Sequence, residues 1–293
     1  MLSIVSIGMP VHNGMDLIKE ALESLLAQTY GDFELIIGDN ASTDGTEELC
    51  RAYSQVDHRI RYGRNSHYLG VGENFNGVLR RASGVYFMWA AHDDLWEPDY
   101  VSALAGQLAR SSCALAFAGV DNIDLEGRSI RTFERLTEIP SQETGGRLRN
   151  YLEQEENEGK ANLIYGLMRR ETIVRAGGFR RWGLGGWGAD MLTVFKILTY
   201  GDLSLADGIL FHKRLPAGHP DYSPRRGRVR LPSLNSLGRA VAKIGYLIGY
   251  VRILSTLEEI SPLERMELTR SVVRKAAALS RSWIQRQTIE GRQ

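Results

Sequence analysis

Cysteine is nearly absent from this chain, with two in 293 residues, Cys50 and Cys113. They stand far apart and in no metal-ligand or redox spacing. This excludes a disulfide framework or thiolate metal site and points to a reducing compartment, the cytoplasm. Long hydrophobic runs are missing too. The best candidate for a membrane span, residues 244–251, is bracketed by Lys243 and Arg252 and is far too short to cross a bilayer. The opening MLSIVS lacks the basic region and long apolar stretch of a signal peptide and reads as a first core strand. No GxGxxG turn follows that strand. The turn is GMPVHNG, with Pro10 and His12 where close approach to a pyrophosphate needs glycine, so a dehydrogenase-type dinucleotide site is excluded. Gly70-Val71-Gly72 is too short to replace it, and no GxxxxGK[ST] loop occurs. There is no internal repeat or low-complexity segment, and no nucleic-acid motif or aromatic stacking pattern, so nucleic acid is not expected as a partner.

What is present is ordinary globular composition, 43% hydrophobic and 24% charged, enough for one large domain or one domain plus an appendage. The net charge of +1 conceals an asymmetry: residues 1–224 carry 22 Lys and Arg against 30 Asp and Glu, whereas 225–293 carry 14 against 5. The composition changes at Pro224. Arg225, Arg226, Arg228 and Arg230 open a basic extension whose Val241, Ile244, Leu247, Ile248 and Val251 recur at helical spacing, with a second basic segment through Arg274, Lys275 and Arg281. Two helices are predicted there. Packing on the main domain or on a second copy is favoured over peripheral contact with an anionic membrane face, which such helices also serve.

In the first half, apolar runs alternate with helical patterns. Strands are predicted at residues 2–9, 33–38, 60–62 and 85–89, and helices at 15–28, 46–54, 73–81 and 98–110. The alternation implies an α/β fold, with a mostly parallel sheet flanked by helices and ligands bound beyond the carboxyl ends of the strands. Three of those ends are polar: Pro10-Val11-His12-Asn13, then Gly38 through Gly45, and finally His92-Asp93-Asp94. Taken singly, each has a structural explanation. Asp44 with Glu47 resembles a helix-capping pair, Asn13-Gly14 and Asp44-Gly45 form turns, and Pro98 suits a first helical turn. Together they deliver Asp39, Asp44, Asp93 and Asp94 to one crevice, an excess of negative charge that a hard divalent cation and a phosphate-bearing ligand would jointly neutralise.

SIGMPVHNG at residues 6–14, SLLAQTY at 24–30 and FELIIGDNASTDGT at 33–46 resemble the opening of the family 2 glycosyltransferases of GT-A fold. The resemblance continues through Asn74 and Asn76, Gly84 to Tyr86, Asp93-Asp94 and Gly188-Ala189-Asp190. It covers roughly residues 3–214 and leaves the tail outside. It implies a GT-A domain over 1–224, with a nucleotide half to about 112 and an acceptor half beyond, followed by the helical extension 225–293. It also implies an inverting transfer from a nucleotide-diphosphate sugar to a hydroxyl of a glycan or lipid-linked acceptor, in bacterial surface glycan or polysaccharide synthesis. The enzyme would be cytoplasmic, in reach of the inner membrane face.

The same resemblance assigns residues. Asp39 accepts a bond from the ring N–H of a pyrimidine, most simply uracil, so a UDP-sugar is favoured. The backbone at Pro10 and Val11 packs on that base, and His12 stands where a stacking tyrosine is common. Asn13, Asp44 and Asn76 complete the nucleotide site. Asp93 faces ribose and metal, and Asp94 binds Mn²⁺ or Mg²⁺ bridging the phosphates. Asp190, at the first turn of a helix over about 190–199, is the general base. Trp182 and Trp187 stack on an acceptor sugar, or serve as packing anchors. Residues 212–222 have the polar, Gly/Pro-rich character of a lid whose cations hold diphosphate, and His212 is a further metal candidate. Ala91 and Ala189 depart from the pattern, standing where relatives carry acidic residues. They leave room for a noncatalytic nucleotide-sugar-binding protein, or one whose basic tail does the work. A sugar-phosphate nucleotidylyltransferase is the other alternative, although PVHN carries no cation for a triphosphate.

Overall fold

A computed structural model describes residues 4–134, 143–156, 158–182, 186–215, 236–258 and 260–290. The apolar first strand β1 (Val5–Val11) is buried along its whole length and pairs in parallel with β2 (Phe33–Asp39) on one side and β4 (Tyr86–Trp89) on the other. Strand β3 (Ile60–Arg64) extends the parallel group beyond β2. Helices α1 (Ile18–Leu26), α2 (Thr46–Val56) and α3 (Val71–Arg81) make the crossovers, burying apolar stripes such as Ile18, Ala21, Leu22 and Leu25. Chain order reverses beside β1, since β2 and β3 lie to one side and β4 to the other. A ligand crevice belongs at such a switch point.

The second half mixes directions. The short strand β5 (Leu95–Trp96) and helix α4 (Tyr100–Arg110) lead into β6 (Leu115–Ile123) and β7 (Ser129–Phe133); α5 (Thr144–Glu153) and a 3₁₀ turn at Lys160–Tyr165 precede β8 (Leu167–Arg169). Then come α6 (Arg170–Ala176), α7 (Ala189–Ile197) and the long strand β9 (Leu203–Arg214). The sheet runs β3-β2-β1-β4-β8-β6-β9-β5, with β7 beside β6. Among the described residues beyond β4, only the β6–β9 pair is parallel.

Two helices follow, α8 (Ser236–Ser255) and α9 (Pro262–Glu290), as the tail's pattern predicts. They pack on α7 and α5 respectively, and their buried residues belong to the same apolar core as the sheet. The face they use differs from the expected one. Val241, Ile244 and Val251 are exposed, whereas Ala242, Tyr246, Tyr250, Ile253 and Leu254 are buried against the domain. The cluster at Arg225–Arg230 and positions 216–222 of the expected lid lie outside the described residues.

Candidate active site

Strands β1 and β2 end in register at Val11 and Asp39, and the loops leaving them are laced together. His12 Nδ1 lies 3.0 Å from the Asn40 carbonyl, and the Asn13 N–H donates to Ser42 Oγ at 2.9 Å. The Thr43 N–H donates to Asn13 Oδ1 at 2.8 Å, and the Gly14 N–H to Thr46 Oγ1 at 2.9 Å. A Cβ on Gly14 would lie 2.6 Å from the His92 ring, so glycine lets this loop reach the end of β4. Pro10 and Val11 are buried in β1, while His12 and Asn13 face solvent.

Asp39 is fully buried. Its Oδ1 accepts the Ser42 N–H at 2.8 Å, and its Oδ2 accepts the Tyr62 hydroxyl at 2.6 Å with Arg64 Nε at 3.7 Å. A carboxylate fixed this way keeps lone pairs for one more N–H. The half-exposed Tyr68 stands beside His12 with ring centroids 4.9 Å apart. Tyr62 and Tyr68 escape sequence reading because both sit in a strand and loop without motif spacing.

Asp44 and Asn76 are committed to the scaffold. Asp44 Oδ2 accepts the Met15 N–H and its Oδ1 the Thr46 N–H and hydroxyl, bonds that outweigh partial burial and hold its carboxyl below the usual range. It is not paired with Glu47, which meets Arg51 and Arg64, and the N-cap of α2 is Gly45. Asn76 is spent on one backbone unit: its Nδ2 donates to the Phe179 carbonyl and its Oδ1 accepts the Phe179 N–H, both at 2.9 Å. This tie between α3 and the segment after α6 competes with the expected nucleotide contact. The neighbouring Asn74 likewise donates to the Gly38 carbonyl at 2.7 Å.

The adjacent carboxylates have opposite fates. Asp94 is fully buried and accepts Lys213 Nζ at 2.9 Å and the Arg214 N–H at 2.9 Å. Burial pushes its carboxyl up to about 6 despite Lys213, while the charge of Asp94 holds the Lys213 ammonium above its ordinary value against the effect of burial. Asp94 is thus held as an internal anchor, with both oxygens engaged. Asp93 is half-buried and takes no hydrogen bond or ion pair from the described residues. Lys213, expected in a diphosphate-holding lid, is a strand residue of β9. His212 pleats to the opposite side of that strand, with Nε2 2.7 Å from Glu97 and Nδ1 3.9 Å from Asp121. It does not join the Asp93–Asp94 pair.

Asp190 enters from the second half of the chain, in the first turn of α7 after Gly188 at φ 72°. Burial raises its carboxyl, with the Met191 N–H at 2.8 Å and the charge of Lys213 acting the other way. Tyr165 lies where the two halves meet. Its ring sits 4.8 Å from Lys213 Nζ, and its hydroxyl, pushed up to about 12 by burial, feels the charges of Lys213, Asp94, Asp93 and Asp190. Within Leu163-Ile164-Tyr165 it reads as core, so sequence reasoning misses it. Trp187 packs edge-on against Tyr246 at 4.8 Å, and Trp182 is partly buried under Arg180.

A mixed sheet whose parallel half ends in the buried Asp94 and the half-buried Asp93, with Asp190 supplied by α7, is the frame for comparison with known proteins. The family model described as Glycosyl transferase family 2 matches residues 6–171. The chain belongs to this family. Over 130 residues the chain is 31% identical to the Bacillus subtilis (strain 168) glycosyltransferase TuaG, named for teichuronic acid biosynthesis, covering 44% of this chain and 52% of that protein. It is 33% identical over 140 residues to the Rickettsia conorii glycosyltransferase RC0461, covering 47% of this chain and 23% of that protein. The matches therefore span about half of the first relative and about a quarter of the second. Among solved structures, S. aureus TarS 1–349 in complex with UDP-GlcNAc superposes with a TM-score of 0.64 at 15% identity, covering 93% of this chain and 72% of that one. The Pyrobaculum calidifontis mannosyltransferase PcManGT, in complex with GDP-Man and Mn²⁺, gives 0.55 at 18% identity, covering 98% and 85%. These likenesses establish the GT-A fold. Membership of the family sets aside the nucleotidylyltransferase alternative.

Proposed function

We propose that this glycosyltransferase moves a sugar from a nucleotide-diphosphate donor, with UDP-sugars favoured, to a hydroxyl of a glycan or lipid-linked acceptor with inversion at the anomeric carbon. The observation that carries this is Lys213, bonded to Asp94 and lying over the Tyr165 ring, where the charges of Asp93 and Asp190 also bear. The fixed carboxylate of Asp39, at the end of β2 beside His12 and Tyr68, suits an N–H of a base. Asp190 takes the proton from the acceptor hydroxyl as that oxygen attacks, and its raised carboxyl makes it a stronger base than an exposed aspartate. Attack opposite the departing nucleotide produces inversion.

The residues present fit a hard divalent ion. No group of three His, Cys, Asp or Glu side chains able to hold a metal occurs among the described residues, and Asp93 is the rim carboxylate that stands without a partner. One protein carboxylate, completed by substrate phosphates and water, is how Mg²⁺ and similar ions are commonly held. Asp93 would hold Mn²⁺ or Mg²⁺, which supplies charge neutralisation for the diphosphate leaving group. TarS with UDP-GlcNAc and PcManGT with GDP-Man and Mn²⁺ support a nucleotide-sugar donor in this fold while differing in the base. Among the described residues no helix is long and apolar enough to cross a membrane; the exposed Val241, Ile244 and Val251 of α8 leave a surface for a membrane face or a second copy.

The test is turnover of a panel of UDP- and GDP-sugars with and without Mn²⁺, in wild type, Asp93→Asn, Asp94→Asn and Asp190→Asn. Asp93→Asn should abolish metal-dependent stimulation, and Asp190→Asn should keep nucleotide binding while losing about 10²–10⁴-fold in transfer. Asp94→Asn should act through Lys213, lowering stability along with turnover. Wild-type rates in all three variants would overturn these roles.

A further inference from the structure

The turn that presents Asp190 is held from outside the sheet domain. Tyr246, in the middle of α8, is fully buried, and a Cβ placed on Gly188 would lie 2.5 Å from its ring. Gly188 also adopts φ 72°, so the residue two before Asp190 is glycine for both a backbone and a packing reason. The Tyr246 ring takes Trp187 edge-on, and its hydroxyl lies 2.5 Å from the Tyr250 hydroxyl, 3.1 Å from Glu156 Oε1 and 3.5 Å from Met191 Sδ. Tyr246 thus touches the residues two and three before Asp190 and the one after it. From the other side, the Tyr151 hydroxyl donates to the Met191 carbonyl at 2.8 Å.

Glu156 is itself locked in place. Lys275 of α9 donates to its Oε1 at 2.6 Å and to the Gln154 carbonyl at 2.8 Å. The fully buried Lys160 lies 3.8 Å from Glu156, donates to the Tyr151 carbonyl at 2.7 Å and sits 4.1 Å over the Tyr151 ring. A second grip runs through Arg252 of α8, whose Nη1 donates to the Trp182 carbonyl at 3.0 Å. Buried networks of this kind permit a narrow set of side-chain positions, because each unsatisfied member would be costly.

We propose that Tyr246 is a positioning residue for the general base: α8, anchored through Glu156 to α9, sets the Gly188–Met191 turn and thereby the place of Asp190. This rests on the assignment of Asp190 as base. The C-terminal helices are then a working part of the acceptor side and not an appendage.

The test compares Tyr246→Ala and Tyr246→Phe with wild type in the full chain. Amide hydrogen exchange over residues 186–193 should accelerate at least tenfold in Tyr246→Ala, with strand 33–39 unchanged. UDP binding in the presence of MnCl₂, measured by calorimetry, should stay within twofold. For whichever of UDP-GlcNAc and GDP-Man the wild type consumes, kcat should fall at least tenfold with donor KM held within twofold. Tyr246→Phe, which keeps the ring on Gly188 and Trp187, should recover at least half of kcat. Unchanged exchange in Tyr246→Ala overturns the proposal whatever the activity. So does an equal loss of UDP binding and turnover, or a Phe variant as impaired as Ala. If wild type consumes neither donor, the exchange measurement still decides the positioning, while the transferase assignment is what is called into question.

Discussion

Adjacent aspartates at the end of an apolar strand divide their labour by burial. Asp94 goes inward to Lys213, which leaves Asp93 for the crevice. Burial raises the Asp190 carboxyl although Lys213 opposes it, so the base should titrate above an exposed aspartate. Transfer should rise with pH as Asp190 loses its proton, with the acid limb of kcat/KM above the ordinary 3.8. Lys213→Met removes the cation that opposes burial and should move this limb further up; a limb that stays put in a pH–rate profile would count against the coupling. Glu34 shows the opposite shift. Burial pushes its carboxyl up, but bonds from Ser6, from the Ser83 N–H and hydroxyl, and from Arg61 outweigh this and bring it to about 2. As pH falls from 4.5, the unfolded chain takes up this proton before the folded one, so Glu34 contributes stability that is complete above 4.5 and lost toward 2. Glu34→Gln should flatten the pH dependence of urea unfolding in that window and leave its slope at neutral pH alone.

At the scale of elements, α8 is the instructive case. Its large aliphatic residues recur at helical spacing and invite the inference that they form the packing face, yet Val241, Ile244 and Val251 point outward. The inward face carries Gly245, Tyr246, Gly249, Tyr250, Ile253 and Leu254, where glycine permits close helix approach and tyrosine supplies bulk plus a buried hydroxyl. Periodicity locates a helix but cannot rank two faces when one is built from glycine and tyrosine. A Cβ on Gly249 would lie 2.4 Å from the Leu192 side chain of α7. Gly249→Val should therefore cost about 1–3 kcal/mol by overpacking, read as a lowered urea midpoint. A neutral outcome would mean that α7 and α8 separate easily.

For the molecule as a whole, the basic extension continues the core of the sheet domain. Leu192 and Phe195 of α7 are covered by Gly249 and Tyr250 of α8, and α9 lies on α5. A chain ended at residue 224 should expose these apolar side chains and associate, losing near-ultraviolet dichroism and eluting as aggregate in size exclusion. A monomeric, natively packed product would show that residues 1–224 are self-sufficient.

The βαβ order and the polar strand ends that carry Asp39 and Asp93 were legible in the sequence, because strand and helix periods and turn residues are local properties of the chain. The uses of those side chains were decided by tertiary structure. Whether Asp94 or Asp93 faces the crevice depends on Lys213, which follows 119 residues later. Asn76 is engaged by Phe179, and His212 is turned away by the pleat of β9. Tyr165 and Tyr246 gain their places from packing alone. Charge and hydrogen-bond partners are set by neighbours in space, and a one-dimensional pattern carries no record of which distant residue will fill a buried carboxylate.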